Sequence, residues 1–215
     1  MIQPSWFSAY GATLLDTVTR RDDARGLQVA RRFGAIAFVT VLTAIAAQVS
    51  IPLPFTPVPF TFQPMIVLLG GAALGARLGM TSQLLYLALG VAGLPVFAAS
   101  ATLPPGVARL LGPTGGYLMS YPFAAFVAGW LAEGGLDRRY VTSVIAMAAG
   151  LAVVFTGGVL WLAFFVQPSQ GLTGALAAGF FPFVVADLLK LLVAAGVMPG
   201  LWWLTGRRDS QDLQP

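Results

Sequence analysis

The sequence predicts an all-α integral membrane protein, a six-transmembrane-helix bundle with both termini cytoplasmic, on three observations. The first is composition: 57% of the residues are hydrophobic and 9% charged, against roughly a quarter charged in a soluble domain, and the mean hydropathy is +0.81. The second is spacing, because the few charges punctuate apolar stretches of about 20 residues, the length that crosses a bilayer. The 215 residues hold six such spans, short connections and no separate soluble domain. The third is arginine placement. With the amino terminus inside, Arg20, Arg21, Arg25, Arg31, Arg32, Arg77, Arg138, Arg139, Arg207 and Arg208 all fall on the cytoplasmic side and only Arg109 falls outside. The net charge of +4 therefore marks orientation in a lipid bilayer, and no nucleic-acid partner is expected.

In chain order, residues 1–32 form a cytoplasmic or interfacial segment without the pattern of a signal peptide. Trp6, Phe7, Tyr10, Leu14 and Val18 recur at helical spacing, which suits a short helix in the headgroup region and is equally compatible with a frayed tail. The membrane domain runs over 33–205, with spans at about 33–50, 63–77, 78–94, 117–132, 140–165 and 172–204. The last is too long for a simple crossing, so Pro182 is expected to kink it or to begin its straight part. Residues 206–215 are a cytoplasmic tail. Two long Pro- and Gly-rich connections, 51–64 and 93–116, lie together on the outer face, where long irregular loops tend to carry function. No inverted repeat of the kind seen in secondary transporters is evident.

The chain has no Cys and no His, which removes disulfides, thiolate and imidazole metal ligands, cysteine nucleophiles and histidine bases. Its one lysine, Lys190, sits in the last span, so there is no phosphate-binding loop of the G-x-x-x-x-G-K-[ST] type. The expectation is a protein that is not an enzyme, with no metal and no cofactor. Any ATP-driven step must come from a partner.

The chemistry concentrates in Pro182-Phe-Val-Val-Ala-Asp187-Leu-Leu-Lys190. Three residues apart on a helix, Asp187 and Lys190 share a face. Charges inside a bilayer are expensive and pair, face a cavity, or both, so the two are either a ligand site or a structural ion pair. The first loop alternates Ile51, Leu53 and Phe55 with Pro52, Pro54 and Thr56, and continues to Gln63 at the start of a span. Its apolar face is expected to lie over the bundle top or over a ligand, with Gln63 offering an acceptor and two donors. In the second loop, Gly112-Pro-Thr-Gly115-Gly-Tyr117 precedes a helix. Its amides can approach an anion closely or simply make a tight turn. Arg109 is the one outer cation, suited to a carboxylate or simply an exposed loop arginine without a role.

Taken together, Pro-Leu-Pro-Phe-Thr-Pro-Val-Pro-Phe-Thr-Phe-Gln63, Leu89-Gly-Val-Ala-Gly-Leu-Pro-Val-Phe97, Gly112-Pro-Thr-Gly-Gly-Tyr-Leu118 and Asp187-Leu-Leu-Lys190 resemble the BioY family, the substrate-binding S components of energy-coupling-factor transporters for biotin. The resemblance covers roughly residues 33–205. It implies a multi-pass protein of the bacterial cell membrane that captures biotin from the outer side under the first loop. It also implies import powered by a T component and two ABC-type ATPases, with biotin as the transported ligand and Asp187 and Lys190 in its site. Phe60, Tyr86 and Tyr117 are then candidates to line the ring pocket, or ordinary packing residues. One departure is that span one carries no strict Ala-x-x-x-Ala docking patch; Ala30-x-x-x-Gly34, Thr40-x-x-x-Ala44 and Thr43-x-x-x-Ala47 are small-residue substitutes. The competing expectation from the residues alone is a proton-coupled secondary transporter of a small carboxylate-bearing solute that uses Asp187.

Overall fold

The computed structural model describes residues 13–18, 25–100, 103–166 and 168–205. Its helices are α1 (Leu14–Val18), α2 (Arg25–Gln48), α3 (Gln63–Leu74), α4 (Ala76–Val91), α5 (Ala108–Leu111), α6 (Gly115–Glu133), α7 (Tyr140–Trp161), α8 (Gly171–Gly179) and α9 (Phe181–Leu204). α7 continues as a π-helical turn over Leu162–Val166. The protein is an all-α, multi-pass membrane protein. Among the described residues three helical stretches are long and apolar enough to cross a bilayer, Arg25–Gln48, Tyr140–Val166 and Phe181–Leu204. Their outward faces are apolar too, as Phe38, Val41, Ile45, Val185 and Val193 show, which is the surface that lipid tails require.

α6 is the central helix, packed against α3, α4 and α7. It achieves this with small residues: Ala124, Ala125 and Ala128 are completely buried, and helix backbones meet where side chains are missing. A Cβ at Gly71 of α3 would lie 2.8 Å from the Cα of Ala125, so only glycine permits that approach. Lipid supplies no hydrophobic drive between helices, and close van der Waals packing of this kind replaces it.

Several boundaries differ from the sequence reading for local reasons. α2 begins at Arg25, so Arg31 and Arg32 lie in its second turn, consistent with the high helix propensity of arginine. The break expected between residues 63–77 and 78–94 falls at Gly75, between α3 and α4 and before Arg77. Gly75 adopts φ +84°, a left-handed conformation that suits glycine, and the Glu133 side chain then accepts from the Ala76 N–H at the start of α4, at 2.9 Å. The last stretch breaks at Phe180, two residues before Pro182, into α8 and α9. Proline occupies the first turn of α9, where its missing N–H costs nothing. Of the amino-terminal aromatics, Trp6, Phe7 and Tyr10 lie outside the described residues, as does the tail 206–215. α1 packs against α3.

The first loop is tied by a two-residue antiparallel ladder, β1 (Ser50–Ile51) with β2 (Phe60–Thr61). Only part of its expected apolar face is covered: Val58 is buried and Leu53 and Phe60 are half-buried, while Ile51 and Phe55 are exposed. The Thr56 hydroxyl donates to Ala178 O at the end of α8, 2.6 Å away, which pins the loop across the bundle top. Among the small-residue pairs of α2, Thr40, Thr43 and Ala47 are buried. Thr40 donates to Ser82 O at 2.9 Å, and Gln83 Nε2 donates to the Thr43 hydroxyl at 3.2 Å. These residues join α2 to α4, whereas Ala30 and Gly34 remain exposed.

Candidate functional site

α9 places Asp187 six residues inside its start, roughly 9 Å along the axis, and Lys190 one turn further on the same face. Both side chains are 9% exposed. The Lys190 ammonium donates to Asp187 Oδ1 at 2.7 Å and to Thr61 O on β2 at 2.6 Å, and it stands 3.5 Å above the centre of the Phe60 ring. Its three hydrogens are thereby engaged by a carboxylate, a carbonyl and a ring face. The pair thus does two things at once. It forms an ion pair, and it anchors the first loop to α9. Asp187 Oδ2 makes no hydrogen bond to the described residues.

These groups line a cavity of about 330 Å³ beneath the first loop, within the range of small-ligand pockets. Gln63 and Tyr117 line it as well, with Val58 from the loop, Tyr121 from α6, Phe155 from α7 and Phe183 from α9. Gln63 is buried at the first position of α3. Its Nε2 donates to the Tyr86 hydroxyl at 2.5 Å, and the Tyr86 hydroxyl donates to Val96 O at 3.1 Å. The Thr61 hydroxyl donates to Gln63 Oε1 at 3.3 Å. Tyr117 donates to Gly179 O at 2.7 Å, a carbonyl freed by the break between α8 and α9. Arg109 lines the same cavity from α5, its side chain held by donation from Nε to Pro104 O at 3.1 Å.

Of the residues singled out from sequence, Asp187, Lys190, Gln63, Arg109 and Tyr117 meet around this cavity, while Phe60, Tyr86 and Gly115 do not line it. Phe60 lies against the ammonium. Tyr86 stands behind Gln63 and packs edge-on against Phe97 at 5.3 Å, so it orients the amide from the second layer. The Gly115 N–H donates to Gly112 O at 3.0 Å, and a Cβ there would strike Leu110 O. The glycine motif is therefore a tight turn into α6. Phe183 and Tyr121 were not singled out, although each lies four residues from a residue that was, Asp187 and Tyr117, and so shares its helical face. Phe155 carries no local signal, because only the packing of α7 on α6 brings it in. Among the described residues no three of Asp, Glu, His and Cys gather as metal ligands would.

The BioY family profile matches residues 17–207. The chain is 41% identical over 165 residues to a protein of Pyrococcus horikoshii described as a probable biotin transporter BioY, covering 77% of this chain and 92% of that one. It is also 41% identical over 156 residues to the biotin transporter BioY of Thermotoga maritima, covering 73% and 86%. A crystal structure of the S-component for biotin from an ECF-type ABC transporter superposes with a TM-score of 0.74 at 28% identity, over 83% of this chain and 94% of that one. A profile match over residues 17–207, together with relatives 41% identical over about three quarters of the chain, leaves one assignment: the chain belongs to the BioY family.

Proposed function

We propose that this chain is the biotin-binding membrane subunit of an ECF-type ABC transporter. The observation that carries the reading is a buried acid–base pair beside an amide, Asp187, Lys190 and Gln63, around a cavity in an otherwise apolar bundle. Biotin presents a ureido ring with two N–H donors and one carbonyl acceptor, an apolar thioether ring and a carboxylate tail. Asp187 Oδ2 accepts from the ureido N–H groups, and the Lys190 ammonium turns from one of its present partners to the ureido carbonyl. Tyr117, Phe155 and Phe183 give the thioether ring an apolar wall, and Arg109 meets the carboxylate. Leaving buried polar groups unpaired costs about 1–3 kcal/mol each, so a ligand without this donor pattern is rejected. The family assignment lends no support to a proton-coupled carrier built on Asp187.

In this reading α2, α3, α4, α6, α7 and α9, with α8 as an outer extension of α9, make six spans. Both termini are cytoplasmic and the first loop is a lid on the outer side of the cell membrane. Energy comes from a T component and two ABC-type ATPases, since the chain has no nucleotide-binding loop of its own. The topology is directly measurable because the chain has no native cysteine. A single cysteine at Phe55, which is 67% exposed in the first loop, should react with an impermeant thiol reagent in intact cells. One at Ser210 should react only after permeabilisation, and the opposite pattern overturns the orientation.

The function is tested by thermal shift of the purified protein with biotin, thiamine and riboflavin. Biotin at 100 times its Kd should stabilise the protein by about 2.7 kcal/mol, and the other two should leave its melting unchanged. Equal shifts with all three, or none with biotin, overturn the reading.

A further inference from the structure

Arg109 stands between two cavities. On one side is the cavity that holds Asp187 and Lys190. On the other is a second cavity of about 520 Å³, walled by Gln48 at the end of α2, by Leu94 and Pro95 after α4, and by Pro105 before α5. Phe97, Ala99, Ser100, Leu103 and Arg109 line both, so a single layer of side chains separates the two spaces.

The Arg109 side chain supplies the charge at this boundary, with the Ser100 hydroxyl beside it. It is 9% exposed, and its Nε is committed to Pro104 O. No described carboxylate pairs with it, which leaves the donors on both terminal nitrogens for an incoming acceptor. A charged group so nearly buried needs one. Around it the second cavity is walled by Leu94, Leu103, Phe97 and three prolines, with Ser100 and Gln48 as its other polar side chains. Gln48 Nε2 donates to Ala44 O at 3.2 Å and to Pro95 O at 3.3 Å, so its Oε1 remains as an acceptor facing that space.

Resting on the biotin reading above, this arrangement has a consequence for what can be attached to the ligand. A carboxyl group held at Arg109 points whatever is bonded to it toward the second cavity. An amide carbonyl still accepts from the guanidinium, though without the attraction of a full negative charge, and its substituent can fill the leucine- and proline-lined part of the second cavity. We infer that the second cavity is a subsite for groups joined to the biotin carboxyl, so that the protein also takes N-alkyl carboxamides of biotin, the class to which biotinyl-lysine conjugates belong. The alkyl chain recovers by burial part of what the lost charge forfeits.

The test compares biotin, biotin primary amide and biotin N-butylamide by calorimetric titration of the wild-type protein and of Leu94→Trp. Leu94 is 47% exposed and lines only the second cavity. In the wild type the butylamide should bind at least tenfold more tightly than the primary amide. In Leu94→Trp that gain should vanish while the Kd for biotin, which also reports that the variant is folded, stays within twofold. A butylamide no tighter than the primary amide in the wild type overturns the subsite and leaves the biotin reading intact. So does a gain that survives Leu94→Trp, or an equal loss of biotin and butylamide in that variant. Failure of biotin itself to bind the wild type overturns the biotin reading and the subsite together.

Discussion

Replacing both members of the buried ion pair at once, Asp187→Leu with Lys190→Met, should leave the bundle folded and lower biotin affinity at least 100-fold. Either substitution alone should cost about 3–5 kcal/mol of stability, because it strands the other charge in a nearly dry site. The pair is buried to the same degree on both sides and joined at 2.7 Å, and exchanging such a pair for apolar groups of similar volume is often neutral or stabilising. The double variant loses two further contacts of Lys190, the donation to Thr61 O, worth about 1 kcal/mol, and the place of the ammonium over the Phe60 ring, worth about 0.5–2 kcal/mol. The comparison separates two roles that share the same atoms. If the pair served only to hold α9 to the first loop, the double variant would melt near the wild-type temperature and bind biotin unchanged. If the pair reads the ureido ring, the double variant melts normally and does not bind, since about 2.7 kcal/mol of lost recognition is already 100-fold in Kd.

Arg109→Ala should weaken biotin about 10- to 100-fold, corresponding to the roughly 1.5–3 kcal/mol of a hydrogen bond to a charged group, while weakening biotin primary amide by less than about fivefold. The guanidinium is nearly buried, lines the cavity and has no carboxylate partner among the described residues. A ligand carboxylate therefore has no intramolecular competitor there. The Kd ratio of acid to amide in wild type and variant is the measurement. Equal losses for both ligands would leave Arg109 holding the second loop through Pro104 O and nothing more.

Asp187 and Lys190 were legible because an acid and a base in an apolar stretch announce themselves, and the three-residue spacing fixes their common face whatever the bundle does around them. Gln63 was legible for a related reason, as a polar side chain at the point where a proline-rich loop turns into a helix. Tyr86 and Gly115 looked similar in sequence but differ in depth. Their distance from the cavity depends on how α4 and α6 sit against their neighbours, and one-dimensional spacing carries no such information. Phe155 shows the same limit from the other side, since it reaches the cavity only because Gly150 and Gly157 let α7 close on α6. The helix boundary at Gly75 also depends on a distant residue. Glu133, at the far end of α6, caps the helix that begins there, and a bond across 57 positions is invisible to local pattern. The break near Pro182 was readable to within two residues because proline's restrictions are local.

The central claim, that biotin occupies the cavity beneath the first loop, is tested most directly by ligand protection of a single cysteine. The native chain has none, so a thiol at Leu118, a buried lining residue of α6, reports on that space alone. A second thiol at Thr156 of α7, which lines a groove on the outer side of α6 and α7 and not this cavity, is the control. With a small methanethiosulfonate reagent, saturating biotin should slow modification of Leu118→Cys at least tenfold and leave Thr156→Cys unchanged, and thiamine should slow neither. Modification of Leu118→Cys at the same rate with and without saturating biotin would contradict the account.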